Sequence, residues 1–182
     1  MDVKNKNLIK IAIVGPESTG KSTMAKFLAK EFNTYCVPEY ARYYCKNLNN
    51  NYTLQDEVNM MYGQIALEEA LLDTMDNNIV FFDTTILTVK VWSDHLFDYT
   101  PENVLMEIKN RKYDLYLLMD IDLAWENDPL RDFPDKREHF KEIWLKELES
   151  IDANYVIISN TNEERLKNGL EYCKKFIKYS YE

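Results

Sequence analysis

With 182 residues, 46% hydrophobic and 29% charged, the chain has the length and balance of one globular domain with a substantial core. Its net charge of -9 argues against a broad nucleic-acid-binding surface, and an anionic substrate would have to be met by a local basic cluster. Cys36, Cys45 and Cys173 are too scattered for a zinc site or a disulfide framework. The polar opening "MDVKNKNLIK" is no signal peptide, and no apolar run approaches the ~18 residues of a membrane span, so a cytoplasmic protein with no membrane partner is expected.

In chain order, Ile9 to Val14 is a β-branched apolar run that reads as a buried parallel strand. Met24, Phe27 and Leu28 then recur at helical spacing within Lys21 to Phe32. A short second strand from Thr34 to Val37 stops at Pro38, and a long acidic helix is predicted over Leu54 to Met75. A third strand (Ile79 to Phe82) leads to a helix over Thr85 to Leu96, and Pro101 opens a helix running to Lys109. Strands over Leu115 to Met119 and Tyr155 to Ile158 alternate with helices over Glu138 to Leu148 and Glu163 to Ile177. This alternation predicts an α/β three-layer sandwich, a five-stranded parallel sheet with helices on both faces.

Between the first strand and the first helix, Gly15 to Ser22 spells GxxxxGK[ST]. Such a loop turns successive backbone N–H groups onto phosphates, and the helix behind it adds its dipole. Pro16 has no N–H, so the cradle falls to Glu17 through Ser22. The expected ATP ligands are Gly15, Glu17, Ser18, Thr19, Gly20, Lys21, Ser22 and Thr23, with Lys21 on the β- and γ-phosphates and the Ser22 hydroxyl on Mg²⁺.

Ligands of open α/β sheets lie beyond the carboxyl ends of the strands, where Glu39 ("VPEYARYY") and Asp83 ("IVFFDTT") fall. Phosphorylating a hydroxyl requires a group to take its proton and a carboxylate to serve the metal. Asp83 has the form of a metal-side acid and Glu39 would then face the acceptor, but the reverse assignment is equally consistent with the sequence. A plainer role for Asp83 is capping the following helix with Thr84 or Thr85. After the fourth strand, residues 124–137 hold Arg131, Lys136 and Arg137 and read as a flap that closes over the phosphates. Arg131 is the candidate for the transferring group and Arg137 for ATP.

Taken together, "GPESTGKST", "PEYAR", "FFDTTILTVKVW" and "LAWENDPLR" resemble the ribosylnicotinamide kinase domain of NadR-type proteins, a branch of the P-loop nucleoside kinases. The resemblance spans roughly Ile9 to Ile158. It implies ATP- and Mg²⁺-dependent phosphorylation of the 5′-hydroxyl of nicotinamide riboside to nicotinamide mononucleotide. By the same resemblance Glu39, Arg42, Gln64 and Asp83 lie near the acceptor, Trp125, Asp128 and Arg131 belong to the flap, and Tyr40 and Trp125 are the candidates to stack on the pyridinium. Two departures stand out. The flap reads Asp128-Pro129-Leu130-Arg131 where the family has Asp-Gly-x-Arg, and the eight residues before the first strand leave no room for the adenylyltransferase domain that often precedes the kinase. The step to the dinucleotide is therefore expected elsewhere.

The same motifs would serve a kinase for another nucleoside, or a regulatory ATP-binding module whose nucleotide state controls a partner. The expected partner is a small-molecule nucleoside, and a homo-oligomer is compatible with the sequence.

Overall fold

The computed structural model describes residues 8–48 and 51–180. Five strands, β1 (Ile9–Val14), β2 (Tyr35–Val37), β3 (Ile79–Asp83), β4 (Leu115–Met119) and β5 (Tyr155–Ile158), form one sheet in the order β2-β3-β1-β4-β5. Every pairing is parallel. The helices are α1 (Lys21–Glu31), α2 (Ala41–Tyr44), α3 (Leu54–Thr74), α4 (Leu87–Phe97), α5 (Glu102–Asn110), α6 (Arg137–Ser150) and α7 (Asn162–Ser180).

Alternation along each strand divides the core between the two faces of the sheet. Ile9, Ile11 and Ile13 of β1, with Phe81, Leu115 and Leu117, pack against Met24, Ala25 and Leu28 of α1 and Cys173 of α7. Ala12 and Val14, with Tyr116 and Leu118, face Leu87 and Val91 of α4 and Phe140, Trp144 and Leu148 of α6. At the β2 edge, Val37, Val80 and Phe82 are covered by Leu67 and Leu71 of α3. The expected three-layer sandwich is therefore present. Near-continuous apolar strands are what a sheet buried on both faces requires.

The helix boundaries have local causes. Thr53 caps α3 in a reciprocal box with Asp56, each side chain bonding the other's backbone N–H. In α4 the helix begins two residues later than expected, because the Thr85 hydroxyl accepts the Leu87 N–H at 3.2 Å. The one-turn α2, the 3-10 turn Cys45–Asn47 and the 3-10 turn Pro134–Lys136 have no counterpart in the sequence prediction.

Two parallel registers position the chemistry. Ile13 pairs with Asp83 across β1 and β3, and Val37 pairs with Phe82 across β2 and β3. The carboxyl ends of β1, β2 and β3 therefore finish side by side, with Asp83 closing β3 and the glycine loop and Glu39 following β1 and β2. Gly15 leaves β1 with φ of +133°, and a Cβ there would lie 2.8 Å from the Met119 carbonyl oxygen. Gly15→Ala thus combines backbone strain with a clash against an immobile strand. It should lower the melting temperature by at least ~5 °C, given ~2–4 °C per kcal/mol for a chain this size. An unchanged melting curve would show that β4 yields at that point.

Candidate active site

The loop between β1 and α1 is shaped by two left-handed residues, Ser18 (φ 56°) and Gly20 (φ 79°). Such alternation points neighbouring N–H groups into one concavity. The Thr19 hydroxyl donates to the Pro16 carbonyl at 2.8 Å and closes the turn from within. Lys21 donates to the carbonyls of Gly15 at 2.9 Å and Pro16 at 2.7 Å. Burial lowers the pKa of Lys21, while Glu39, Asp83 and Glu17, in that order, hold it up. A desolvated ammonium ringed by three carboxyls is the electrostatic centre of the site.

Of those carboxyls, Asp83 is almost fully buried and its Oδ1 has no hydrogen-bond partner among the described residues. Among the described residues Asp83 makes no hydrogen bond to the start of α4: the Leu87 N–H goes to the Thr85 hydroxyl, and the Thr84 and Thr88 hydroxyls bond one another. An orphaned carboxylate oxygen that acts on the loop's Lys21 suits Mg²⁺, which commonly takes one or two protein oxygens and completes its shell with phosphates and water. Ser22 and Asp83 are the residues that would hold it. Glu39 is pushed above the usual carboxylate range by burial, against the pull of Lys21. Its carboxyl lies 3.5 Å from the Arg42 guanidinium.

The flap is latched onto this loop. The Glu126 N–H donates to the Ser18 hydroxyl at 2.8 Å, and the Asp132 N–H donates to the Glu17 carboxylate at 2.9 Å. Burial pushes Glu17 up to about 7, opposed by that Asp132 bond. Within the flap, the Asp128 carboxylate accepts the Leu130 N–H at 2.9 Å, and the Arg131 N–H returns to the Asp128 carbonyl at 3.0 Å. Pro129 thus occupies the second position of a tight turn, where its fixed φ is suited. The Leu130 N–H and Arg42 together hold Asp128 below the usual carboxylate range. Arg42 bridges Glu39 to Asp128 at 3.0 Å, so Glu39 and the flap are joined by one guanidinium.

The three flap cations part company. Arg131 turns inward, donating to the Glu126 carbonyl at 2.7 Å and approaching the Ser18 hydroxyl at 3.4 Å. Lys136 lies over the Phe133 ring at 4.5 Å. Arg137, expected to meet ATP, instead spends Nη1 and Nη2 on the carbonyls of Leu123 and Ile121 at 2.8 Å each, which braces the base of the flap.

A cavity of about 460 Å³ runs beneath the flap, lined by residues 15–23 of the loop and by Glu39, Arg42, Glu57, Gln64, Trp92 and Arg131 among others. The two aromatic side chains expected to stack on a ring are not on its wall. Tyr40 lies flat against α3, where a Cβ on Gly63 would come within 2.0 Å of its ring. Trp125 is outside the cavity and donates to Asn127 at 3.0 Å. Tyr52, Trp92, Phe140 and Trp144 are the wall aromatics instead. Gln64 lines the cavity, yet its carbonyl accepts the Tyr40 N–H at 2.8 Å and its amide donates to Glu68 at 3.2 Å. These bonds make it a holder of the turn that carries Glu39.

Two residues of the site carry no sequence signal. Arg165 of α7, nearly buried, donates to the carbonyls of Asp120 at 2.6 Å and Thr19 at 3.0 Å and so ties the loop to the end of β4. Glu57, 3% exposed, lies on the cavity wall and is pushed up to about 8, by burial first and Asp56 second.

The sheet order, the loop and the flap define a P-loop kinase-like fold. A family model described as AAA domain matches residues 10–165, and the chain belongs to that family. Over 156 residues it is 30% identical to the trifunctional NAD biosynthesis/regulator protein NadR of Escherichia coli (strain K12), covering 80% of this chain and 37% of that one. It therefore spans about two fifths of the length of the curated relatives it matches. Among solved structures, a NadR protein in complex with NR superposes with a TM-score of 0.76 at 21% identity, covering 93% of this chain and 51% of the other. Deoxyadenosine kinase from M. mycoides superposes with a TM-score of 0.60 at 14% identity, over 94% of this chain and 100% of the other. Among the described residues no helix is long and apolar enough to cross a membrane.

Burial of Glu57 has a measurable cost. Its folded pKa of about 8 exceeds the ordinary 4.5, so the folded state binds more protons between those values and stability declines as pH rises across them. Glu57→Gln should leave the melting temperature nearly unchanged at pH 5 and raise it above wild type at pH 9. Equal shifts at both pH values would mean that the carboxyl is not the group responsible.

Proposed function

We propose that the protein transfers the γ-phosphoryl group of ATP, with Mg²⁺, to the 5′-hydroxyl of nicotinamide riboside, forming nicotinamide mononucleotide and ADP. The observation that carries this reading is the convergence of Lys21, Glu39 and Asp83 beneath a flap already closed over the loop. An enclosed site with a carboxylate on the acceptor side favours transfer to a bound hydroxyl over loss to water. The similarity to NadR, including a NadR structure that holds NR, supports the choice of acceptor.

In this reading the 5′-oxygen attacks the γ-phosphorus while its proton passes to Glu39. The bond from phosphorus to the β–γ bridging oxygen breaks, and its electron pair leaves with ADP. The raised pKa of Glu39 suits a group that must accept a proton near neutral pH. Lys21 and Arg131 meet the charge on the transferring group, and the loop N–H groups hold the phosphates. Mg²⁺, held by Ser22 and Asp83, supplies charge neutralisation on the β- and γ-phosphates when bound. Arg42 keeps Glu39 in place and couples it to the flap. The chain is proposed to act as one kinase domain, with a nucleoside as its small-molecule partner.

The test is ADP release from ATP and Mg²⁺ with nicotinamide riboside and ordinary nucleosides supplied singly. Stimulation by nicotinamide riboside alone is expected. Stimulation by a different nucleoside would replace the acceptor, and a slow rate indifferent to all of them would point to a regulatory ATPase. Lys21→Ala should abolish transfer to any acceptor. Glu39→Gln should lower kcat by ~10²–10⁴, the usual contribution of a general base, with ATP affinity nearly unchanged. Weakened ATP binding in Glu39→Gln would contradict an acceptor-side role.

A further inference from the structure

One wall of the cavity carries a carboxyl that the phosphoryl-transfer chemistry does not use and that would ionise beside a bound cation. Glu57, in the first turn of α3, is 3% exposed, and among the described residues its carboxyl has no hydrogen bond and no ion pair. Its neighbour Asp56 is spent on the capping box with Thr53 and points away along the helix start. The side chains around Glu57 on that wall are the Cys45 thiol, the Met60 thioether and Tyr52. Cys45 and Met60 are themselves 7% exposed, with their sulfurs 3.4 Å apart. Among the described residues no lysine or arginine pairs with Glu57, and its neighbour Asp56 has the same sign.

The position of this wall relative to the chemistry follows from Cys45. Its thiol is pushed up to about 11 by burial first, then by Glu57, with Glu39 acting on it as well. Cys45, Glu57 and Glu39, the acid proposed to face the acceptor hydroxyl, all line the one cavity, and both carboxyls act on the Cys45 thiol. A nucleoside with its 5′-hydroxyl at Glu39 has its base a sugar's width away, within the same cavity.

A buried, unpaired carboxyl is costly, and what relieves the cost is a cation or a full set of hydrogen bonds. Among the described residues neither is present. A neutral base would leave the group as it is, whereas a ring with a fixed positive charge would complete it. Soft sulfur and aromatic neighbours suit a flat, polarisable cation better than a strongly hydrated one. Resting on the nucleoside-kinase reading above, we infer that Glu57 is the specificity residue of the acceptor site, the counter-charge that selects a nucleoside with a cationic base over one with a neutral base.

The experiment compares two acceptors of nearly the same shape and different charge: nicotinamide riboside, a pyridinium, and its neutral dihydro form. In Glu57→Gln, an isosteric change, KM for the cation should rise at least ~10-fold, the scale of losing one desolvated charge pair, with kcat within ~2-fold. KM for the dihydro form should stay level or fall. An equal rise for both acceptors would make Glu57 a structural residue, and no rise for either would overturn the proposal directly. A binding arm keeps the two readings separable. Wild type should bind 1-methylnicotinamide, a cation, at least ~10-fold more tightly than neutral nicotinamide, a preference absent from Glu57→Gln. If wild type phosphorylates neither riboside, the kinase reading fails. The binding arm still decides Glu57, and equal binding of cation and neutral ring would overturn it.

Discussion

The site depends on a buried ammonium group and the carboxyls that answer it. Lys21 opens α1, where the backbone carries its own partial positive charge, and burial works against keeping a second positive charge there. Glu39, Asp83 and Glu17 offset that penalty. None of the three is near Lys21 by accident of a flexible side chain. Asp83 is delivered by the pairing of β3 with β1, Glu39 by the pairing of β2 with β3, and Glu17 by the loop itself. The parallel sheet is thus what makes the charge arrangement affordable, and the charge arrangement is what makes the loop fit for a phosphorylated ligand.

The flap extends the same electrostatics across the cavity. Its backbone N–H groups bond Glu17 and Ser18, and its Asp128 reaches Arg42, which in turn holds Glu39. The position of the flap and the orientation of Glu39 are therefore tied together. Arg165 and Arg137 support it from behind, each spending its guanidinium on backbone carbonyls. The arginines of this domain divide between those that face the ligand and those that fix the loops around it, a division set by the cavity and not by charge.

Much of the fold was legible because parallel strands buried on both faces are continuous apolar runs, as in β1, β3 and β4, while the part-exposed edge strands β2 and β5 were found as short segments between helices. The loop was legible because its glycines and its lysine have fixed offsets. What escaped were features fixed by distant contacts. The one-turn α2 follows Pro38 and is held by the packing of the Tyr40 ring on Gly63 and by Gln64 bonding the Tyr40 N–H, partners from a helix far along the chain. Asp56 and Glu57 look alike in sequence, yet the ~100° that separates neighbours on a helix sends one to the cap and the other into the cavity. Tyr40 and Trp125 were stacking candidates by family resemblance, and only packing shows that Tyr52, Trp92, Phe140 and Trp144 line the wall.

The central claim is that this cluster of charge directs a phosphoryl group onto a bound hydroxyl. The most direct measurement follows the fate of γ-labelled ATP in the presence of saturating nicotinamide riboside. The expected result is label recovered on the 5′-oxygen of the mononucleotide, with little inorganic phosphate. Label recovered chiefly as inorganic phosphate, at a rate unaffected by the nucleoside, would contradict it.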